Sequence, residues 1–193
     1  MGAKVGRPLA LCFFAGIVAT PLIPAEGHRE VGAHEHGRGT LNIAVEGNKV
    51  TMELEVPGVD IVGFERIAKT AREKAAVEKA KVQLSAPLSL FVPPASAACW
   101  VTEAKVEVGG HDHDAKTAAK GAKAPAKSAG HSEFHAQYAL ECAAPANLTA
   151  IEFSYFRAFA GAQKLTVNVI TPNGQNNFEV TRASPGLSLA GKI

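Results

Sequence analysis

Cysteine is scarce in this chain, and so are the signatures of catalysis. There are three cysteines in 193 residues, and none sits where a nucleophile is expected. No Gly-x-Ser-x-Gly elbow occurs, which removes the common hydrolase site. No His-Glu-x-x-His helix motif occurs either, so the rigid zinc-hydrolase arrangement is absent. Lysine and arginine are not clustered with aromatics, and the formal charge is only +2, which excludes a nucleic-acid surface. There is no internal repeat. The longest apolar run, "LALCFFAGIVAT", is too short to span a bilayer comfortably. An enzyme is not expected.

That apolar run has another meaning. It follows Lys4 and Arg7 and precedes "PLIPAEG", where Ala25 offers a small residue for cleavage. Residues 1–25 read as a secretory signal peptide and stand outside the fold. Cys12 leaves with it; it precedes most of the apolar run and is not read as a lipidation site. No membrane insertion is expected after cleavage. The exported chain keeps Cys99 and Cys142. In an oxidising compartment two cysteines most simply form one disulfide. In the chain-entropy picture such a bridge stabilises by about 3–4 kcal/mol. Two free thiols or a zinc ligand pair are the alternatives.

Hydrophobic residues make up 47 % of the chain, enough for one core. Residues 26–38 are polar and Gly-rich, a flexible lead-in. Leu41, Ile43 and Val45, then Val50, Met52, Leu54 and Val56, alternate with polar or small residues around "EGN". That pattern is a β-hairpin with one apolar face. The period then changes: a helix is predicted from Thr70 to Gln83, with Ile67, Ala71, Ala75, Val77 and Leu84 as its apolar stripe. "PLSLFVPP" reads as a short edge strand bracketed by prolines. Trp100, Thr102, Ala104, Val106 and Val108 share one side of a strand. Phe134, Ala136, Tyr138, Leu140 and Cys142 share one side of the next. A strand is predicted over residues 150–156. Leu165, Val167 and Val169 turn at Asn173-Gly174 and pair back through Phe178 and Val180. The fold class is α+β: mostly antiparallel sheet with one main helix. A single β-rich domain spans residues 39–182, a long flexible His/Lys insert occupies 109–131, and 183–193 is a tail.

All seven histidines fall outside the apolar patterns, in two windows. "HEH" sets His34 and His36 two apart, so in extended chain they point the same way. "HDHD" does the same for His111 and His113, beside Asp112 and Asp114. "HSEFH" puts His131, Glu133 and His135 on the face opposite Phe134. Imidazole and carboxylate together are a ligand set for zinc without thiolate, with other divalent transition metals as competitors. Such binding requires deprotonated imidazole and weakens below about pH 6. Plain readings stand beside these. "HEHG" is then a polar start to a strand and "HDHD" a solvated loop tip. His131 and His135 are then surface residues of a strand that packs Phe134 and Tyr138. His28 is read as having no role. Lys116, Lys120, Lys123 and Lys127 repel a cation and fit a tether.

"HEHGRGTLNIAVEGNKVTMELEVPG", then "VGFE", Cys99, a histidine-bearing insert and "HSEFHAQYALEC" resemble a family of exported bacterial proteins known as domain of unknown function 2796. Its ZrgA-like members are products of zinc-repressed genes. The resemblance runs from about Glu35 to Thr181. It implies a periplasmic zinc-binding protein of a Gram-negative bacterium that assists a zinc ABC importer or that importer's binding protein. It points to His34, His36, His111, His113, His131 and His135 as ligands. The insert here departs from the family pattern, because two His-Asp pairs give way to alanine and lysine. The alternative function is a disulfide-closed envelope module that binds another protein without metal.

Overall fold

A computed structural model describes Gly2, residues 35–110 and residues 131–193. The expected signal peptide, and residues 111–130 of the expected insert, lie outside these described residues.

The alternating segments form the strands they predict. β1 (Arg38–Glu46) and β2 (Lys49–Pro57) make the first hairpin. β4 (Cys99–Gly110) and β5 (Ser132–Cys142) flank the insert. β7 (Lys164–Thr171) and β8 (Gly174–Thr181) make the last hairpin. These six join in one sheet of order β4-β5-β2-β1-β7-β8. Every neighbouring pair is antiparallel except β1 and β7, which are parallel. The α+β, mostly antiparallel class therefore holds.

Register turns the sequence alternation into a core. Leu54 pairs with Leu41 and Ala136, and Met52 with Ile43 and Tyr138. Leu41 and Ile43 pair in turn with Val167 and Val169. All are at most 4 % exposed. Against this face lies a second sheet of order β3-β6-β9, formed by β3 (Phe91–Val92), β6 (Ala150–Phe153) and β9 (Gly186–Ser188). It brings an aromatic group with it: Phe91 meets Phe153 edge-on at 5.5 Å and stacks on Tyr155 at 5.8 Å. Such pairs add to burial by their ring geometry.

Several expectations are corrected. Helix α2 runs over Ala71–Leu84, as expected, after the short α1 (Gly58–Val62). Its predicted stripe, however, faces inward only in part: Leu84 is buried and Val77 packs against the core, whereas Ala71 and Ala75 are exposed and Ile67, ahead of the helix, is 54 % exposed. Only Ala80 and Leu84 of this helix are buried. "PLSL" is a helical turn, α3 (Pro87–Leu90), and only Phe91–Val92 is strand. The strand expected over 150–156 stops at Phe153, and α4 (Tyr155–Ala158) follows. Trp100 does not share a face with Ala104. A register shift between Val101 and Glu103 takes up one residue, so Trp100 points outward and is 46 % exposed. The expected tail supplies β9, with Leu187 and Leu189 buried.

The disulfide forms. Cys99 and Cys142 are register partners at one end of the β4–β5 stem and are bonded across 43 residues of sequence.

Candidate metal centre

The opposite end of that stem gathers the ligand-type side chains. β1 starts there, β2 runs there into α1, and β5 starts there. The lead into β1 is a turn closed by the Arg38 N–H donating to the Glu35 carbonyl at 3.1 Å. Gly37 sits at φ +81°, a conformation glycine adopts at least cost. Its N–H donates to Asp60 Oδ1 at 2.8 Å. Its carbonyl accepts from the N–H groups of Gln163 and Lys164 at 2.9 and 2.8 Å. The backbone beside His36 is therefore tied to two other segments through Gly37.

Glu65 arrives by a helix end. Gly63, at φ +83°, caps α1, and its N–H donates to the Val59 carbonyl at 3.0 Å. This left-handed cap reverses the chain. The Ser132 N–H then donates to the Glu65 carbonyl, tying the loop to the start of β5. Gly58 permits the approach, since a Cβ there would lie 2.1 Å from Ser132 Oγ.

The result is one carboxylate between two imidazoles. Glu65 Oε1 contacts His36 Nε2, and Oε2 contacts His131 Nδ1 at 2.7 Å. The carboxylate is largely covered (22 % exposed) while the rings are open, at 66 % and 62 %. A neutral imidazole has one N–H. With that N–H given to Glu65, lone pairs remain at His36 Nδ1 and His131 Nε2. A carboxylate holding the second nitrogen is the usual support of a metal-bound histidine. His36 and His131 use opposite oxygens, so these three groups do not surround one point. Among the described residues no three His, Cys, Asp or Glu side chains form a ready-made metal cluster.

Asp60 lies behind this group and is 4 % exposed. Burial raises its pKa above the ordinary carboxylate value; the Gly37 N–H and His36 act the other way, and Glu65 adds to the rise.

A second group sits further along β5. His135 Nε2 is 3.0 Å from Glu133 Oε2, and its Nδ1 is 3.9 Å from Glu55 Oε1. Glu55 on β2 and Glu107 on β4 are its register partners. Lys105 binds Glu107 at 2.9 Å, and that bond, more than His135, holds the Glu107 carboxyl below its usual range.

The structure thus joins His36 to His131, which lie far apart in sequence, and divides "HSEFH" between two groups. His34, His111, Asp112, His113 and Asp114 lie outside the described residues. Cys99 and Cys142, being bonded, offer no thiolate. Sequence reading missed Glu65, Asp60, Glu55 and Glu107. Glu65 ends the "VGFE" stretch, but nothing local marks it as a partner of histidine. No helix among the described residues is long and apolar enough to cross a membrane.

The family described as ZrgA family zinc uptake protein matches residues 33–189, and the chain belongs to that family. No curated protein matches the chain.

Proposed function

We propose that this member of a zinc uptake family is an exported protein that takes up Zn²⁺ at the Glu65 end of its sheet and passes it to an importer. Zinc is cargo here. His36 and His131 would hold it through the ring nitrogens that Glu65 leaves open, with Glu65 fixing the rings and supplying negative charge. The observation that carries this reading is the pair of imidazoles on one carboxylate, placed where the insert returns to the sheet. His34, His111 and His113, with Asp112 and Asp114, are the proposed source of further ligands, since zinc favours four. Two exposed rings on a surface suit release as well as capture. The proposed receiver is a zinc ABC importer or its binding protein, and the compartment is the periplasm; the disulfide is consistent with export.

Calorimetry on the mature protein tests this. Zinc is expected to bind at micromolar concentration or tighter, and His36→Ala with His131→Ala is expected to weaken binding at least tenfold. Glu65→Gln, which removes only the supporting charge, should cost about 10–100-fold. No heat from micromolar zinc with the parent protein sinks the proposal.

A further inference from the structure

Strand β4 ends the six-stranded sheet, and among the described residues no strand pairs with its far side. The edge at the other end of the sheet, β8, differs. There the following chain folds back: Ser184 bridges to Thr181, and Lys192 Nζ donates to Asn176 Oδ1 at 3.0 Å and lies over the Phe178 ring. On β4, Trp100, Val101 and Val108 are 46, 37 and 38 % exposed, and they make up three of the seven large apolar side chains left exposed among the described residues. Proteins commonly block a sheet edge with charge or with a bulge. The β4 bulge lies toward one end, between Val101 and Glu103, and from Glu103 to Gly110 the strand keeps unbroken register. Its charges alternate in sign along the outer face, as Glu103, Lys105 and Glu107. Ala104, Val106 and Val108 face the core side, opposite Tyr138, Ala136 and Phe134.

We propose that β4 is the contact to a second copy of this chain, the two strands pairing antiparallel about a two-fold axis perpendicular to the sheet. Opposite residues of antiparallel strands point to the same face, so such an axis passes beside a residue and never between two. Beside Lys105 it sets Lys105 against its own copy and Glu103 against Glu107. Beside Glu107 it sets Glu107 against its own copy. Like charges directly opposite are destabilising. Beside Val106 it sets Lys105 against Glu107 twice, once on each side of the axis. Glu103 then meets Gly109, which has no side chain to repel it. On the core side Val106 meets its own copy, and the exposed Val108 meets Ala104. This register also uses the longest stretch of regular strand, Glu103–Gly109 from each copy, and leaves the bulge outside it. Lys105 and Glu107 now pair within one chain at 2.9 Å; in the dimer each gains a partner across the axis. One short strand from each copy makes a small interface, below roughly 1,200 Å². A weak dimer is therefore expected, with a dissociation constant of about 10–100 µM. The zinc reading is neither used nor required.

The test is sedimentation equilibrium of the full mature chain at low salt, from about 5 µM to about 1 mM. A chelator is kept present, so that association bridged by metal is not counted. A monomer–dimer equilibrium is expected. Lys105→Glu sets like charges opposite each other at two points and should weaken the dimer at least tenfold, and Glu107→Lys should do the same. The double variant, Lys105→Glu with Glu107→Lys, restores opposite signs across the axis and should dimerise as the parent does. Both side chains are more than half exposed, so each variant should keep the monomer's urea midpoint nearly unchanged. In the parent, exchange of the outward β4 amides over Glu103–Gly109 should slow as concentration rises. A chain that stays monomeric to about 1 mM overturns the proposal. A dimer indifferent to both single reversals overturns it too, because the contact then lies elsewhere. Outward β4 amides already protected in the dilute monomer also overturn it, because the chain then closes its own edge.

Discussion

Asp60 shows how one residue can serve a site and burden the fold. Its carboxylate anchors Gly37, and burial raises its pKa. The unfolded chain ionises aspartate at about 3.9. Above that pH the folded state bears the cost of a buried charge; below it the carboxyl is neutral in both states and the cost vanishes. Asp60→Asn keeps an oxygen for Gly37 and removes the charge. The variant should therefore melt higher than the parent at pH 7, with the gap closing as pH falls below 4. A lower melting temperature at pH 7 means that Gly37 and His36 outweigh burial, and ends this account. The same variant should bind zinc more weakly, since a nearby negative charge is lost. Arg182 is a second residue invisible from sequence. Its guanidinium donates to the carbonyls of Phe159, Ala160 and Ala162 at 2.6–3.0 Å, fixing the loop that reaches Gly37 through Gln163. Arg182→Ala should cost about 2 kcal/mol or more in denaturant unfolding, because it leaves carbonyls without a charged donor. Lysine should not restore the loss, because it lacks the planar fork.

Elements were legible where the signal is local. The alternation in β1, β2, β5 and β7 is plain in the sequence because each strand buries one face against the same core. The helix start was legible too: Thr70 is the N-cap of α2, and Glu73 returns to it in a capping box. Thr70→Ala should destabilise the protein by about 1 kcal/mol, measured as a shift in urea midpoint at constant slope. What failed were features set by helix docking, by a bulge or by pairing between distant segments. The apolar residues of α2 could be counted, but which of them meet the sheet depends on how the helix docks. The bulge in β4 reverses Trp100 without a mark in the sequence. The parallel pairing of β1 with β7 joins segments separated by most of the domain, and no turn residue announces it. The candidate site has the same history. Its histidines stand out by type and spacing, whereas Glu65 becomes their partner only through the Gly63 reversal and the Ser132 bond.

Across the whole molecule, the two ends of the β4–β5 stem have different duties. The disulfide closes one end, where Cys99 and Cys142 pair. The Glu65 group occupies the other, ten residues along β5 and roughly 34 Å away at the rise of an antiparallel strand. A bond at that distance restrains the unfolded chain without shaping the proposed zinc site. Reduction, or Cys99→Ala with Cys142→Ala, should therefore lower stability by about 3–4 kcal/mol while leaving the zinc affinity of the still-folded protein unchanged within twofold. The two measurements must be made on one sample, at a temperature where circular dichroism shows the reduced protein folded. If zinc binding instead tightened sharply on reduction, the freed thiolates would be the stronger ligands, and the protein would carry zinc at the closed end of its stem. If zinc binding fell with the fold intact, strain would be passing along β5 from one end to the other. Unchanged affinity with lost stability is the outcome that assigns the cysteines to the fold and leaves the histidine end to the cargo.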